Sequence, residues 1–412
     1  MEPRLWPLVP GLLALAACTE AGARQTATIT DSAGITIVES REPAWRDGEA
    51  YVLDSVPALR IGGNEQAEPA YDLLRVADAI RLSDGSIALI NGGTSDVRIY
   101  SADGHHLRTV GRAGEGPGEF RAMEVLDRTP GDTLFVYDYL LRRLTTVAPD
   151  GTLLETRPLL AGTEVGFVQP LVRLSDGSWA ATSQVFSGDA GEGARRDTLS
   201  VIRIAPGLDS IADSIGAFPA SEMFISRGGE GSGRFITFSL IPFGLTTRIN
   251  AGRDRIYVGN PERYLIEVYR PDGTLERSIR RPVERAPVTE EDVARLRESE
   301  LEGGEADPRF QRQIEQKWES APVPALKPAY GRLTVDRDGF LWVEVPRVLD
   351  EDPGAADVFD PEGRLLGRIP LPPSFRITEI GRDYVLGVAE DADTGLEQVR
   401  LYLLHRPERS DG

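Results

Sequence analysis

One cysteine, three histidines and two lysines stand in a chain of 412 residues. A single cysteine has no partner for an intrachain disulfide, so stability must come from packing and closure. Cysteine-based zinc sites are excluded too, and His105, His106 and His405 show no HxxxH spacing. No nucleophile elbow is present, and a Ser-His-Asp triad would have to recruit one of those three peripheral histidines. Lys317 and Lys327 leave arginine as almost the only base. The formal net charge is -19. Such a surface repels phosphate backbones and argues against nucleic acid as a partner. The same excess of acid keeps a protein soluble and would favour basic peptides or cations. Long apolar runs are also missing, since a membrane-spanning helix needs roughly 20 such residues.

What the chain does carry begins with a short apolar stretch from Leu5, broken by Pro7 and Pro10, that ends in Leu15-Ala16-Ala17-Cys18. Small residues just before a cleavage point mark a processed leader. The tetrad resembles a bacterial lipobox. The resemblance implies that 1–17 is a lipoprotein signal peptide and that Cys18 is diacylated as the first mature residue. Thr19, a non-aspartate, implies sorting to the outer membrane by the same resemblance. Each buried methylene of an acyl chain contributes about 0.8 kcal/mol, so two or three chains hold firmly. The expected product is an exported outer-membrane lipoprotein, with 18–50 as a tether and leading segment.

The rest of the chain repeats. IRLSDGSIALINGGTSDVRIYSADGHHLRTVG at 80–111 is the clearest copy. Ile80 and Leu82, then Ile87 and Leu89, alternate with other residues about Asp84-Gly85; Val97 and Ile99 do so before Asp103-Gly104. Period-two spacing about Asp-Gly predicts a hairpin, because both turn residues tolerate positive φ. Further copies start at Val125, Val172, Thr247 and Leu333, and a sixth at Ile377 runs out one strand short. Leu59-Arg60-Ile61-Gly62 supplies a matching strand at the other end. Units of roughly 40–50 residues with four strands each predict a β-propeller. The expected fold is all-β: a six-bladed β-propeller of four-stranded antiparallel blades over 51–406. Its last blade is closed by the N-terminal strand, which leaves few free sheet edges.

With GEGPGEF at 114–120 after the first unit, the chain resembles the six-bladed, NHL-like propellers found among bacterial secreted proteins and lipoproteins. The resemblance covers nearly all of the mature chain and implies architecture; it says little about activity.

Tight Asp-Gly-type turns fall at one end of the repeats, and long insertions fall at the other. The stretch 184–198 is expected to join second and third strands. The stretches 112–122, 217–244 and 282–328 are expected to cross between units. All then project from one face, and insertions on one face often mark the binding side. A helical insertion is predicted at about 282–325, between blades four and five. Thr289 is its N-cap, with Asp292 three residues on and Val288 and Val293 as a staple. A second helix starts with Asp307 as cap and Pro308 at its first position, with Phe310, Ile314 and Trp318 in one stripe. GEGPGEF lacks a strand–loop–helix context, so Gly116-Pro117-Gly118 reads as a sharp turn with Phe120 packed beneath it.

Candidate residues on the loop-rich face are Arg112, Glu115, Glu119, Arg227, Tyr264 and Trp318. Candidate channel residues are Asp78, Glu124, Arg248, Arg332, Arg376 and Glu379. The expectation is a non-catalytic, lipid-anchored envelope protein that binds a partner protein, peptide or glycan through that face, with no cofactor. The alternative is a metal-dependent lactonase or lyase, with calcium held by channel oxygens.

Overall fold

The computed structural model describes residues 26–46, 48–63, 68–163, 165–185, 191–228, 235–252, 254–303, 308–391 and 394–407. Cys18 and the leader, the cap Asp307 and the tip of RGGEGSGRF lie outside the described residues.

The described residues are mostly β, folded into six sheets of four or more strands and one two-stranded ribbon. The first strands of the six sheets are Val76–Arg81, Met123–Arg128, Phe167–Arg173, Arg248–Gly252, Leu333–Val335 and Phe375–Ile380. Each touches the next, and the sixth touches the first, so they form a closed ring. The hydrophobic core is divided accordingly into six clusters, one between each pair of neighbouring sheets. Ile80, Ala88 and Val97 of the first sheet pack on Leu126, Leu134 and Val136 of the second. Tyr384, Leu386 and Val399 of the sixth pack back on Val76, Ile87 and Leu89 of the first. A strand between two such clusters is covered on both faces, which is why Ile87–Asn91 is buried throughout. Burying one such aliphatic side chain stabilises the fold by about 1.5–3 kcal/mol.

The hairpin turns follow from their residues. Gly85 has φ +89, its N–H donates to the Leu82 carbonyl (3.1 Å), and the Ser86 N–H donates to Asp84 Oδ1 (2.9 Å). The same device recurs at Asp176-Gly177 and Asp272-Gly273. Where the order is reversed, Asp132 and Asp254 take the positive φ themselves.

Ring closure lies at the expected place. Leu59–Gly62 pairs antiparallel with Glu397–His405, setting Leu59 opposite Leu401 and Ile61 opposite Val399. The leading segment differs from a tether. Ala27–Ser32 and Ile35–Ser40 form a hairpin whose second strand runs parallel to Leu275–Arg280 at the edge of the fourth sheet. Ala44 and Trp45 then donate their N–H groups to the carbonyls of Leu365 and Leu366 in the fifth sheet. A Cβ on Gly367 would stand 2.0 Å from the Trp45 ring, so the indole occupies the place of a side chain. Residues 27–46 and 48–62 therefore lace the outer edges of the fourth, fifth and sixth sheets. This pairing answers unpaired outer-strand amides, which the local sequence does not reveal.

Two of the expected loops are strands. In the third sheet Trp179–Gln184 pairs with the inner end of Gly193–Ile204, so 193–198 extends beyond it. The fourth strand, Ile211–Gly228, continues alongside and pairs with Phe235–Leu240. Much of 184–198 and 217–244 is thus a three-stranded arm rather than irregular loop. Within each antiparallel sheet, the tight first-to-second and third-to-fourth turns share one face. The arm, the second-to-third connections and the crossings between sheets share the other.

The largest crossing holds helices α1 (Glu290–Gly303) and α2 (Pro308–Ser320). Thr289 and Asp292 cap each other: the Thr289 N–H donates to Asp292 Oδ2 (2.9 Å) and the Asp292 N–H to Thr289 Oγ1 (3.1 Å). Glu300 of α1 accepts from Lys317 and from Trp318 Nε1 of α2, which joins the two. No helix among the described residues is long and apolar enough to cross a membrane.

Candidate functional site

The ring of first strands encloses a channel with a cavity at each mouth. Four of these strands carry a one-residue register shift, at Val76/Ala79, Met123/Val125, Pro170/Val172 and Ile377/Glu379. A bulge re-aims the side chains around it. The simple alternation of the sequence therefore does not tell which residues face the channel.

At the tight-turn mouth a cavity of about 440 Å³ is lined by Asp78, Asp127, Asp336, Arg337 and Glu379, among others. These acids are engaged by backbone. Asp78 Oδ2 accepts from the Leu126 N–H of the next first strand (3.0 Å), and Asp127 Oδ2 accepts likewise from Arg173 (2.9 Å). Glu379 accepts from the Arg81 N–H (2.7 Å) across the closure, and from Arg337 and the Tyr384 hydroxyl. Asn250 Oδ1 accepts from the Val335 N–H (3.3 Å). Four of the six junctions thus carry a side-chain acceptor facing a neighbouring strand's N–H. Burial pushes the Asp78 carboxyl up to about 7, against the pull of the two N–H donors and Arg376. Burial also raises Asp127. Among the described residues no three His, Cys, Asp or Glu side chains converge as metal ligands.

At the other mouth a cavity of about 500 Å³ opens on the insertion-bearing face. Arg248 and Arg332 line it, with Gln169, Gln184, Thr247 and Thr378. Burial, then the nearby Arg332 charge, lowers the Arg248 guanidinium. Arg376 is lowered by the same two causes and donates to the Val76 and Ala77 carbonyls. The Arg248 Nε is buried without a partner. Neither Arg248 nor Arg332 lies within ion-pair distance of a carboxylate among the described residues. Glu344, raised by burial, feels both arginines. Glu124 accepts from Gln169 Nε2 (3.1 Å) and is likewise raised by burial. The six candidate channel residues are therefore divided. Asp78 and Glu379 line the tight-turn cavity and Arg248 and Arg332 the other, while Arg376 and Glu124 line neither. Asp127, Asn250 and Glu344 join them only in the folded ring, because the Arg173 and Val335 N–H groups and the two arginines that they face lie on other strands or just before them.

The candidates for the outer face also divide. Arg112 is exposed and paired with Glu119 (2.7 Å). Glu119 also accepts from the Gly116 N–H (2.8 Å), and Arg143 donates to the carbonyls of Glu115, Gly116 and Glu119. Phe120 is fully buried beneath this loop, so GEGPGEF is a braced turn. Glu115 pairs with Arg121 on the surface. The Arg227 N–H donates to Glu192 at the far end of the arm. Trp318 is half-buried and tied to Glu300. Tyr264 is a correction: it is 5% exposed, packs on Tyr330 and Phe359, and donates its hydroxyl to the buried Asp357 (3.0 Å). It is a core residue. His105 and His405 are exposed, His106 is half-buried, and none of them lines either cavity.

No protein-family model matches the chain, and no curated protein matches it. Its structure is similar to that of a DUF4221 family member from Bacteroides vulgatus, with 10% identity, TM-score 0.53, and 87% of this chain and 99% of that chain covered. A gluconolactonase from Xanthomonas campestris shows 15% identity over 81% of this chain and 88% of that chain, with TM-score 0.41. Regucalcin, a calcium-binding protein from Agrobacterium tumefaciens, shows 12% identity over 81% and 92%, with TM-score 0.37. These neighbours are β-propeller-like proteins. At such identities the likeness concerns the fold alone, and of the three only the DUF4221 structure exceeds a TM-score of 0.5.

Proposed function

We propose that the chain is a lipid-anchored, NHL-like six-bladed β-propeller of the cell envelope. Its helical insertion stands between blades four and five, and it binds a partner protein, peptide or glycan without catalysis. The six core clusters and the closed ring of first strands support the blade count. Export and the outer-membrane anchor rest on the lipobox-like Leu15-Ala16-Ala17-Cys18. One observation carries the binding reading: the arm, the ribbon at 112–120 and both helices share the face on which the cationic cavity opens. A rigid ring presenting variable elements on one side suits recognition. The lactonase or lyase reading has weaker support, because Asp78 and Glu379 are occupied by backbone N–H groups.

The test is photo-cross-linking in cells. A cross-linking residue at Leu240 on the arm, or at Glu319 on α2, is expected to capture an envelope component. One at Asp272 or Asp150, in tight turns, is expected to capture none. Capture confined to the tight turns would overturn the reading.

A further inference from the structure

We infer that the insertion-face mouth of the channel is a binding site for a carboxylate-bearing saccharide, held by Arg248 and Arg332. The inference rests on the binding reading above and names the ligand class for that face. Three guanidinium groups, from Arg248, Arg332 and Arg376, stand on consecutive first strands or just before them, in a chain of net charge -19. Arg332 disfavours the charge of both others, a repulsion that Glu344 offsets in part at Arg248 and that Asp78, Glu397 and Asp350 offset in part at Arg376. An anion between them removes that cost.

The groups around these guanidiniums are largely engaged elsewhere. Arg376 is engaged by the Val76 and Ala77 carbonyls. Glu397 accepts from the Val76 N–H (2.8 Å), and Glu124 from Gln169. Asp350 pairs with Arg347 (3.2 Å). Glu344 remains as one carboxyl near the guanidinium groups of Arg332, Arg347 and Arg248, and burial raises it. One carboxylate from a ligand completes the balance. A guanidinium meets a carboxylate through two parallel hydrogen bonds, which gives direction as well as charge.

The rest of the wall selects the kind of molecule that carries the carboxylate. Thr182, Gln184 and Ser221 line the cavity with polar side chains, beside Thr247 and Thr378, whose hydroxyls donate to the Pro219 and Leu386 carbonyls and keep lone pairs to accept with. Such groups match the hydroxyls of a sugar. Peptide recognition relies more on apolar pockets for side chains. Phe167, 39% exposed at the rim, offers a ring face for the apolar side of a pyranose. About 500 Å³ accommodates one or two sugar units, within the usual range for ligand cavities.

Calorimetric titration of the whole mature protein tests this with digalacturonate, with neutral galactobiose and with trialanine, whose free C-terminus is a peptide carboxylate. Digalacturonate is expected to bind, and galactobiose at least about tenfold more weakly. Arg332→Gln is expected to weaken digalacturonate by at least about tenfold without lowering the melting temperature. Arg332 is exposed and makes no side-chain hydrogen bond among the described residues, so this variant tests the site even if Arg248→Gln fails to fold. Absence of digalacturonate binding at millimolar concentration overturns the inference. So does equal binding of galactobiose, or binding undiminished in Arg332→Gln. Preference for trialanine over digalacturonate also overturns it, in favour of a peptide terminus. If cross-links still fall on the insertion face without digalacturonate binding, the saccharide inference alone fails. If cross-links move to the tight turns while digalacturonate binds through Arg332, the partner-binding reading alone fails.

Discussion

Arg376, on the last first-strand of the ring, donates to the Val76 carbonyl on the first one, 300 residues earlier in the chain. A second bond from the same guanidinium reaches the Ala77 carbonyl (3.1 Å). These bonds tie the first strand of the sixth sheet to that of the first. Replacing Arg376 by Met leaves two carbonyls without their donor in a desolvated wall. Destabilisation of about 1–3 kcal/mol is expected by urea denaturation. A change within a few tenths of a kcal/mol would show that water replaces the side chain there.

The outer edge of the same sheet is closed by Leu59–Gly62, whose Ile61 is 1% exposed and packs on Val399, Leu401 and Tyr100. Ile61→Ala is expected to cost about 2–5 kcal/mol, as for other fully buried aliphatic truncations. Removing everything before Asn64 goes further and uncovers the edge of Glu397–His405, so concentration-dependent association should appear in light scattering. A truncated protein that melts with the full-length one and stays monomeric would contradict the closure.

Stability should also depend on pH through Asp78. Its carboxyl is raised from 3.8 to about 7 by burial, so between those values the folded state holds a proton that the unfolded chain has released. The contribution is complete below 3.8 and is lost as pH rises through about 7. Urea midpoints should therefore fall over that window. Asp78→Asn cannot accept from both the Ala79 and Leu126 N–H groups, so it starts less stable, but this component of the slope disappears. An unchanged slope in the variant would assign the dependence to other groups.

The anchor makes a separate prediction. Cys18→Ala removes the only thiol and with it the acylation site expected from the lipobox-like tetrad. The protein should leave the membrane fraction on cell fractionation, and incorporation of labelled palmitate should cease. Continued sedimentation with membranes would point to attachment by another part of the chain.

What the residue order determined by itself is local. Asp84-Gly85 and its counterparts form tight turns because two adjacent residues satisfy the φ angles and the Asx hydrogen bond without help from elsewhere. Thr289 and Asp292 cap α1 for the same reason, since donor and acceptor are three residues apart. Even closure could be read in advance, because Leu59–Gly62 repeats the form of strands that end complete units. The tertiary structure decided whatever depended on register or on distant partners. A single-residue bulge near Asp78, Glu124 or Thr378 changes which side chains meet the channel, and period-two spacing carries no record of it. The neighbours of Tyr264 in sequence give no sign of its burial, because its partner Asp357 lies 93 residues away. The leading segment read as a tether because its partners, Leu275–Arg280 and the strand of Leu365 and Leu366, are brought to it only once the ring has formed.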